Sequence, residues 1–179
     1  YGGMFKDVPT ADLAERVVSE VVSRTKIDPA LVDDVIFGQC YPNGEAPAIG
    51  RIAALNAKLG IRVPGLQLDR RCGGGLQAVI TASMMVQTGA ADVVLAGGVE
   101  SMSNIEYYTT DMRWGARSGS VKLHDRLERG RERSQPVERF GHISGMIETA
   151  ENLARLHHIS RDAADDWAVR SHQRARDAW

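Results

Sequence analysis

The stretch LDRRCGGGL, residues 68–76, decides how this chain is read. Two arginines precede Cys72, three glycines follow it, and an apolar helical run, LQAVITASMMVQT (76–88), begins at once. GLQLD (65–69) has strand character, so the order is strand, cysteine, glycines, helix. A residue at such a corner lies beside a helix N-terminus, where free N–H groups and the macrodipole favour negative charge. A thiol there is expected to ionise more readily. Glycines let a substrate carbonyl approach the backbone, and backbone N–H groups can cradle a developing oxyanion. Arg70 and Arg71 add positive charge nearby. A second reading stays open, because an isolated cysteine is also a small buried hydrophobe. A phosphate loop is disfavoured: CGGGLQ contains neither G-x-x-x-x-G-K-[ST] nor a spaced G-x-G-x-x-G.

Outward from this corner, helices and short buried strands alternate, which implies an α/β layer architecture. Thr10 reads as the cap of a first helix, with Asp12 in its first turn and Leu13, Val17 and Val21 as its apolar stripe. Asp28-Pro29 starts a short turn. DDVIFG (33–38) reads as a buried strand, residues 39–47 as a loop, and residues 48–59 as a helix stopped by Gly60. Gly89 closes the helix that follows Cys72. ADVVLAGG (91–98) reads as a third strand, whose continuous apolar run suits a parallel sheet covered on both faces. After residue 100 the apolar periodicity is lost, and RLERGRERSQPVERFG (126–141) is the extreme case. Such a stretch suits a lid, an oligomerisation arm, a substrate-binding excursion or a solvated loop. Helices are expected near 147–156 and 161–178. Ser160 is expected to cap the second, with Ala164, Trp167, Ala168, Ser171, Ala175 and Ala178 as its inner stripe.

Composition excludes several classes. The chain has 179 residues, 43% of them apolar, enough for a sizeable core. Its 22 basic and 23 acidic residues nearly cancel, which argues against a general electrostatic grip on nucleic acid or an anionic membrane. Two cysteines, Cys40 and Cys72, are too few for a disulfide scaffold and fit a reducing compartment, with a cytoplasmic location expected; a single Cys40–Cys72 bridge stays open as the alternative. No apolar run approaches the roughly 20 residues that cross a bilayer, and no signal peptide is visible. The chain starts at Tyr1 without methionine and stops at Trp179 inside a helical pattern, so both ends read as cut.

Other candidates carry less. Cys40, in GQCYPNG, reads as structural. His157, His158 and His172 lie on helices without metal-ligand spacing, so no metal site is expected. His124 and His142 lie in or beside the long excursion. Met84 and Met85 read as core filler. GGVESMSN (97–104) follows a strand's carboxyl end, where α/β sheets form ligand crevices and where a tight turn also fits.

Three ordered motifs carry a resemblance. LDRRCGGGLQAV (68–79) and GAADVVLAGGVESMSN (89–104) resemble the active-site region of the thiolases, the acetyl-CoA acetyltransferases and 3-ketoacyl-CoA thiolases. MIETAENLAR (146–155) and SRDAADDWAVRSHQRA (160–175) resemble later runs of the same family. The resemblance covers essentially the whole chain. It implies an α/β, thiolase-like layered fold, here the N-terminal βαβαβαββ half. Residues 1–100 would form the core half without its first strand. Residues 101–179 would be a loop-domain insertion that covers the coenzyme A site and helps assemble a homodimer or homotetramer. It implies that Cys72 is the acyl-accepting nucleophile and that Met146 lines the acyl pocket. It also implies coenzyme A thioesters as substrates, with no permanently bound cofactor and with no nucleic acid or membrane as partner.

Departures from the family pattern are local. Gly73-Gly74-Gly75 stand where serine is usual after the cysteine, Ile147-Glu148 replace a glycine and its neighbour, and Gly145 occupies a position where many members carry histidine. The family's Asn-x-His-Gly-Gly and Cys-x-Gly-Gly-Gly runs, which carry its activating histidine and second catalytic cysteine, do not occur. The chain therefore reads as the N-terminal half of a protein of roughly 390–400 residues, with little or no turnover expected of this half alone. Three alternatives share some of these features: a fatty-acid or polyketide condensing enzyme, a non-catalytic lipid-binding or assembly module, and a nucleotide-binding α/β domain.

Overall fold

The computed structural model describes all 179 residues. The elements run α1 (Thr10–Thr25), β1 (Asp34–Gly38), α2 (Ile49–Asn56), β2 (Gly65–Leu68), α3 (Gly74–Gln87) and β3 (Val94–Gly98). Then follow β4 (Tyr107–Tyr108), β5 (His124–Asp125), α4 (Arg126–Glu132), α5 (Val137–Phe140), α6 (Met146–Leu156) and α7 (Arg161–Ala178). The chain divides into two compact units, Tyr1–Glu128 and Arg129–Trp179.

In the first unit three parallel strands pair in the order β2-β1-β3, with Gly38 opposite Leu68 on one side and Gly98 on the other. Parallel neighbours need a crossover, and α2 and α3 supply it. The central strand alternates its side chains between two apolar clusters. Val35 and Phe37 pack with Ala14 and Val18 of α1 and with Ile49, Ala53 and Ala54 of α2. Ile36 packs on the opposite face with Ala78 and Ala82 of α3. The sheet covered on both faces is thus realised at β1, while β2 and β3, at the edges, are only partly buried.

Close backbone approach sets this packing. A Cβ on Gly50 would collide with the carbonyls of Val35 and Leu66, and one on Gly65 with the backbone of Arg51. Asp33 holds the amino end of β3: its Oδ2 accepts from the Asp92 amide at 2.7 Å and from the Val93 amide at 2.9 Å. Those two donors hold the Asp33 carboxyl below its ordinary value.

Several expectations need correction. Thr10 is the first residue of α1, buried, and does not cap it; Pro9 occupies the cap position with an extended backbone. The buried stripe of α1 is Ala14 and Val18 with Val22 beside them, one residue away from Leu13, Val17 and Val21. Valines at 17, 18, 21 and 22 fit either stripe, and the face that carries the small side chain of Ala14 is the one packed with Ile49, Ala53 and Ala54 of α2. α3 begins at Gly74 rather than Leu76. Met85 packs against the core, but Met84 is exposed.

The first unit runs past the composition change at residue 100 because residues 101–104 bind back to the N-terminal segment. The Asn104 side-chain amide donates to the carbonyls of Lys6 (3.2 Å) and Val8 (3.0 Å), and the Gly2 amide donates to the Ser103 hydroxyl at 2.8 Å. Farther along, β4 and β5 pair antiparallel.

In the second unit Ser160 caps α7 as expected, accepting from the Ala163 amide at 3.2 Å. The expected inner stripe of α7 buries nothing: every residue of the helix is exposed, Trp167 at 68%. Short alanines separated by charged residues make too shallow a face to dictate burial by themselves. No helix is long and apolar enough to cross a membrane.

Candidate functional site

All three parallel strands end at the same edge, so the residues just after them converge: Gln39, Cys40 and Tyr41 from β1, Asp69 to Cys72 from β2, Val99 and Glu100 from β3. The Gln39 amide donates to the Leu68 carbonyl at 3.0 Å and the Val99 amide to the Gly38 carbonyl at 3.1 Å, extending the sheet hydrogen bonds into the site.

Cys72 lies in a single 3-10 turn, Arg71–Gly73, that leads directly into α3. It is exposed and free. The turn is bonded internally: the Gly73 amide donates to the Arg70 carbonyl at 3.0 Å, and the Gly74 amide to the Arg71 carbonyl. These two amides are therefore engaged, and of the three glycines Gly74 is the one packed against the central strand. It faces Gly38, where a Cβ would lie 2.5 Å from the Gly74 carbonyl carbon and 2.9 Å from the Gly75 nitrogen. Around Gly75 a methyl group would meet open space. The helix-on-strand contact at Gly74 thus requires glycine at position 38, and the surface beside Cys72 is open at Gly75.

The corner is tied to its neighbours by charge. The Arg71 amide donates to Asp69 Oδ1 at 2.8 Å. The Arg71 guanidinium lies 3.4 Å from Asp69 Oδ2, donates to the Cys40 carbonyl at 3.0 Å, and sits 5.9 Å from the centre of the Tyr41 ring. Glu100 reaches across from β3, and its Oε2 accepts from the Cys40 amide at 2.7 Å and the Tyr41 amide at 3.2 Å. Burial pushes the Glu100 carboxyl up, while the Cys40 and Tyr41 amides and the Cys40 thiol pull it down and Asp69 adds to the rise. Burial also pushes the Cys40 thiol up, helped by the charges of Glu100, Asp69 and Cys72 and opposed by Arg71. The Oε1 of Gln39, a residue only 3% exposed, has no hydrogen-bond partner.

The sequence singled out Cys72 and its corner. It passed over Glu100, inside GGVESMSN, and gave Arg71 only a general charge effect. The contact between them runs through the Cys40 peptide, which no local pattern encodes. In the second unit, Met146 opens α6 and is 77% exposed. Beside it, the Glu148 carboxylate folds back over Gly145, filling the space a side chain at 145 would need. The two departures from the family pattern at these positions are therefore neighbours in space.

The description "Thiolase, N-terminal domain" matches residues 1–179. The chain belongs to the thiolase family. It is 38% identical over 176 residues to the beta-ketothiolase BktB of Cupriavidus necator, a match covering 98% of this chain and 43% of that protein. It is also 38% identical over 175 residues to a putative acetyl-CoA C-acetyltransferase, VraB, of Staphylococcus epidermidis, again covering 98% and 43%. Among solved structures, the acetyl-CoA acetyltransferase of Bacillus anthracis superposes with a TM-score of 0.88 at 38% identity, covering 99% of this chain and 44% of that one. The chain therefore spans less than half the length of the thiolases it matches. The expected α/β architecture, the N-terminal half of the thiolase fold, is the one observed.

Proposed function

We propose that the full-length protein carrying this domain is an acyl-CoA acyltransferase that forms or cleaves 3-ketoacyl-CoA through an acyl-cysteine at Cys72. The observation that carries the reading is a free, exposed thiol at the carboxyl end of a parallel sheet, on the turn that opens α3, in a chain matched along its whole length by a thiolase domain. The only other thiol, Cys40, is half-buried and pushed toward its neutral form.

In the first step the Cys72 thiolate attacks the acyl-CoA carbonyl. The carbon–sulfur bond to coenzyme A breaks, and the departing thiolate takes up a proton. In the second, the α-carbon of another acyl-CoA, having lost a proton to a base, attacks the Cys72 thioester and frees the cysteine as 3-ketoacyl-CoA leaves. Thiolysis is the reverse. Met146, unbranched and accessible, suits contact with an acyl chain. Residues 101–179 are assigned to the coenzyme A cover and to homodimer or homotetramer assembly, and two free cysteines suit a reducing, cytoplasmic setting.

A covalent intermediate predicts exchange of labelled coenzyme A into acetyl-CoA with no second acyl acceptor present. The full-length protein should catalyse that exchange, and Cys72→Ser should abolish it. Exchange that persists in Cys72→Ser, or is absent from the parent protein, refutes the assignment.

A further inference from the structure

Five non-glycine residues have left-handed backbones: Lys26, Ala48, Lys58, Arg71 and His158. Lys26, Lys58 and His158 sit at or just past helix C-termini, where that conformation is the usual way to stop a helix. Ala48 precedes α2. Arg71 is different. It adopts φ +48° immediately before Cys72, inside the turn that enters α3. A branched-out L side chain gains nothing from this conformation and pays a steric penalty, so neighbouring contacts must impose it.

Those contacts are on hand. The Arg71 guanidinium bonds the Cys40 carbonyl, faces the Asp69 carboxylate and lies against Tyr41. The peptide it grips is itself fixed, because Glu100 accepts from the amides of Cys40 and Tyr41. The guanidinium thereby ties the ends of β1 and β2, and Glu100 joins the end of β3 to the same peptide. The geometry points to Arg71 as a positioning residue for Cys72: latched to the Cys40 carbonyl and the Asp69 carboxylate, it holds the left-handed kink that presents the thiol. This inference rests on the acyl-transfer reading above and assigns that site a second, non-reacting component.

Two substitutions separate holding the kink from acting on substrate. Arg71→Gly loses the guanidinium but adopts φ +48° freely. Arg71→Ala loses the guanidinium and keeps the steric penalty. In the full-length protein, with melting temperature confirming that each variant folds, thiolysis by Arg71→Ala should lose about tenfold or more in kcat with KM within about threefold, and Arg71→Gly should stay within about threefold of the parent. A parental kcat in Arg71→Ala overturns the inference. So does an Arg71→Gly variant as slow as Arg71→Ala, since the guanidinium would then act directly. If the parent forms no acetyl-enzyme, the acyl-transfer reading fails by itself. The latch is then read from Cys72 alkylation by iodoacetamide: a rate altered about threefold or more in Arg71→Ala but near-parental in Arg71→Gly upholds it, and any other pattern overturns it.

Discussion

Gly38→Ala and Gly74→Ala probe one close approach from its two sides, and the structure gives them opposite outcomes. A methyl group on Gly38 would lie 2.5 Å from the Gly74 carbonyl carbon, 2.8 Å from its oxygen and 2.9 Å from the Gly75 nitrogen. Comfortable separations between carbon atoms are about 3.5–4.0 Å. Strand and helix must therefore part by roughly an ångström, and every obstructing atom is backbone, which has no rotamer to escape into. Overpacking of this kind costs about 3 kcal/mol, the upper end of its usual range. A methyl on Gly74 would lie 3.4 Å from the Gly38 Cα, near ordinary contact. Gly74 already has helical dihedrals, φ −57° and ψ −46°. Replacing a helical glycine by alanine gains up to about 1 kcal/mol. Urea denaturation of the full-length variants reads both effects. Gly38→Ala should also alter Cys72 alkylation, because Cys72 lies two residues before the displaced helix start. A Gly38→Ala protein within about 0.5 kcal/mol of the parent, or a Gly74→Ala protein as damaged as Gly38→Ala, would refute the reading that this close approach requires glycine at 38 and not at 74.

Asp33→Asn should lower the melting temperature at neutral pH. The Asp33 carboxyl is held below its ordinary value, so its contribution is present above that value and is lost as pH falls through the lowered one; the two proteins should converge in acid. Glu100→Gln should behave oppositely. Burial raises the Glu100 carboxyl, so the parent loses stability as pH rises from the ordinary glutamate value through the raised one, and the variant, which cannot ionise, should lack that decline in a pH-melting series. Brief iodoacetamide treatment near neutral pH should label the exposed Cys72 before the half-buried Cys40, by peptide mass; preferential labelling of Cys40 would contradict the assignment of the reactive thiol.

Parallel strands were legible because they carry unbroken apolar runs: DDVIFG contains the buried β1, and ADVVLAGG contains β3, which is only partly buried. The corner at Cys72 was legible because glycine and cysteine punctuate a strand-to-helix change. What was hidden depends on partners distant in sequence. The choice between adjacent stripes on α1 shows only in the packing, where Ala14 and Val18 meet Ile49, Ala53 and Ala54 of α2. The cap of α1 went to Pro9 because proline's fixed backbone already supplies the entry geometry that Thr10 was expected to provide. The need for glycine at 38 comes from the Gly74–Gly75 backbone, far later in the chain. Arg71 and Glu100 meet through a peptide of the β1 loop, so charge alone in DRRC and GGVES revealed neither contact. The polar stripe of α7 was readable as a helix, but periodicity cannot say whether a shallow alanine face is covered.

The most direct measurement is the mass of the Cys72 peptide after the full-length protein is incubated with acetyl-CoA alone, quenched in acid and digested. One added acetyl group on that peptide, absent from the Cys40 peptide and removed by excess coenzyme A, is the predicted result. An unmodified Cys72 peptide, or acetyl found only on Cys40, would contradict the proposal that this corner of the thiolase fold carries the acyl group.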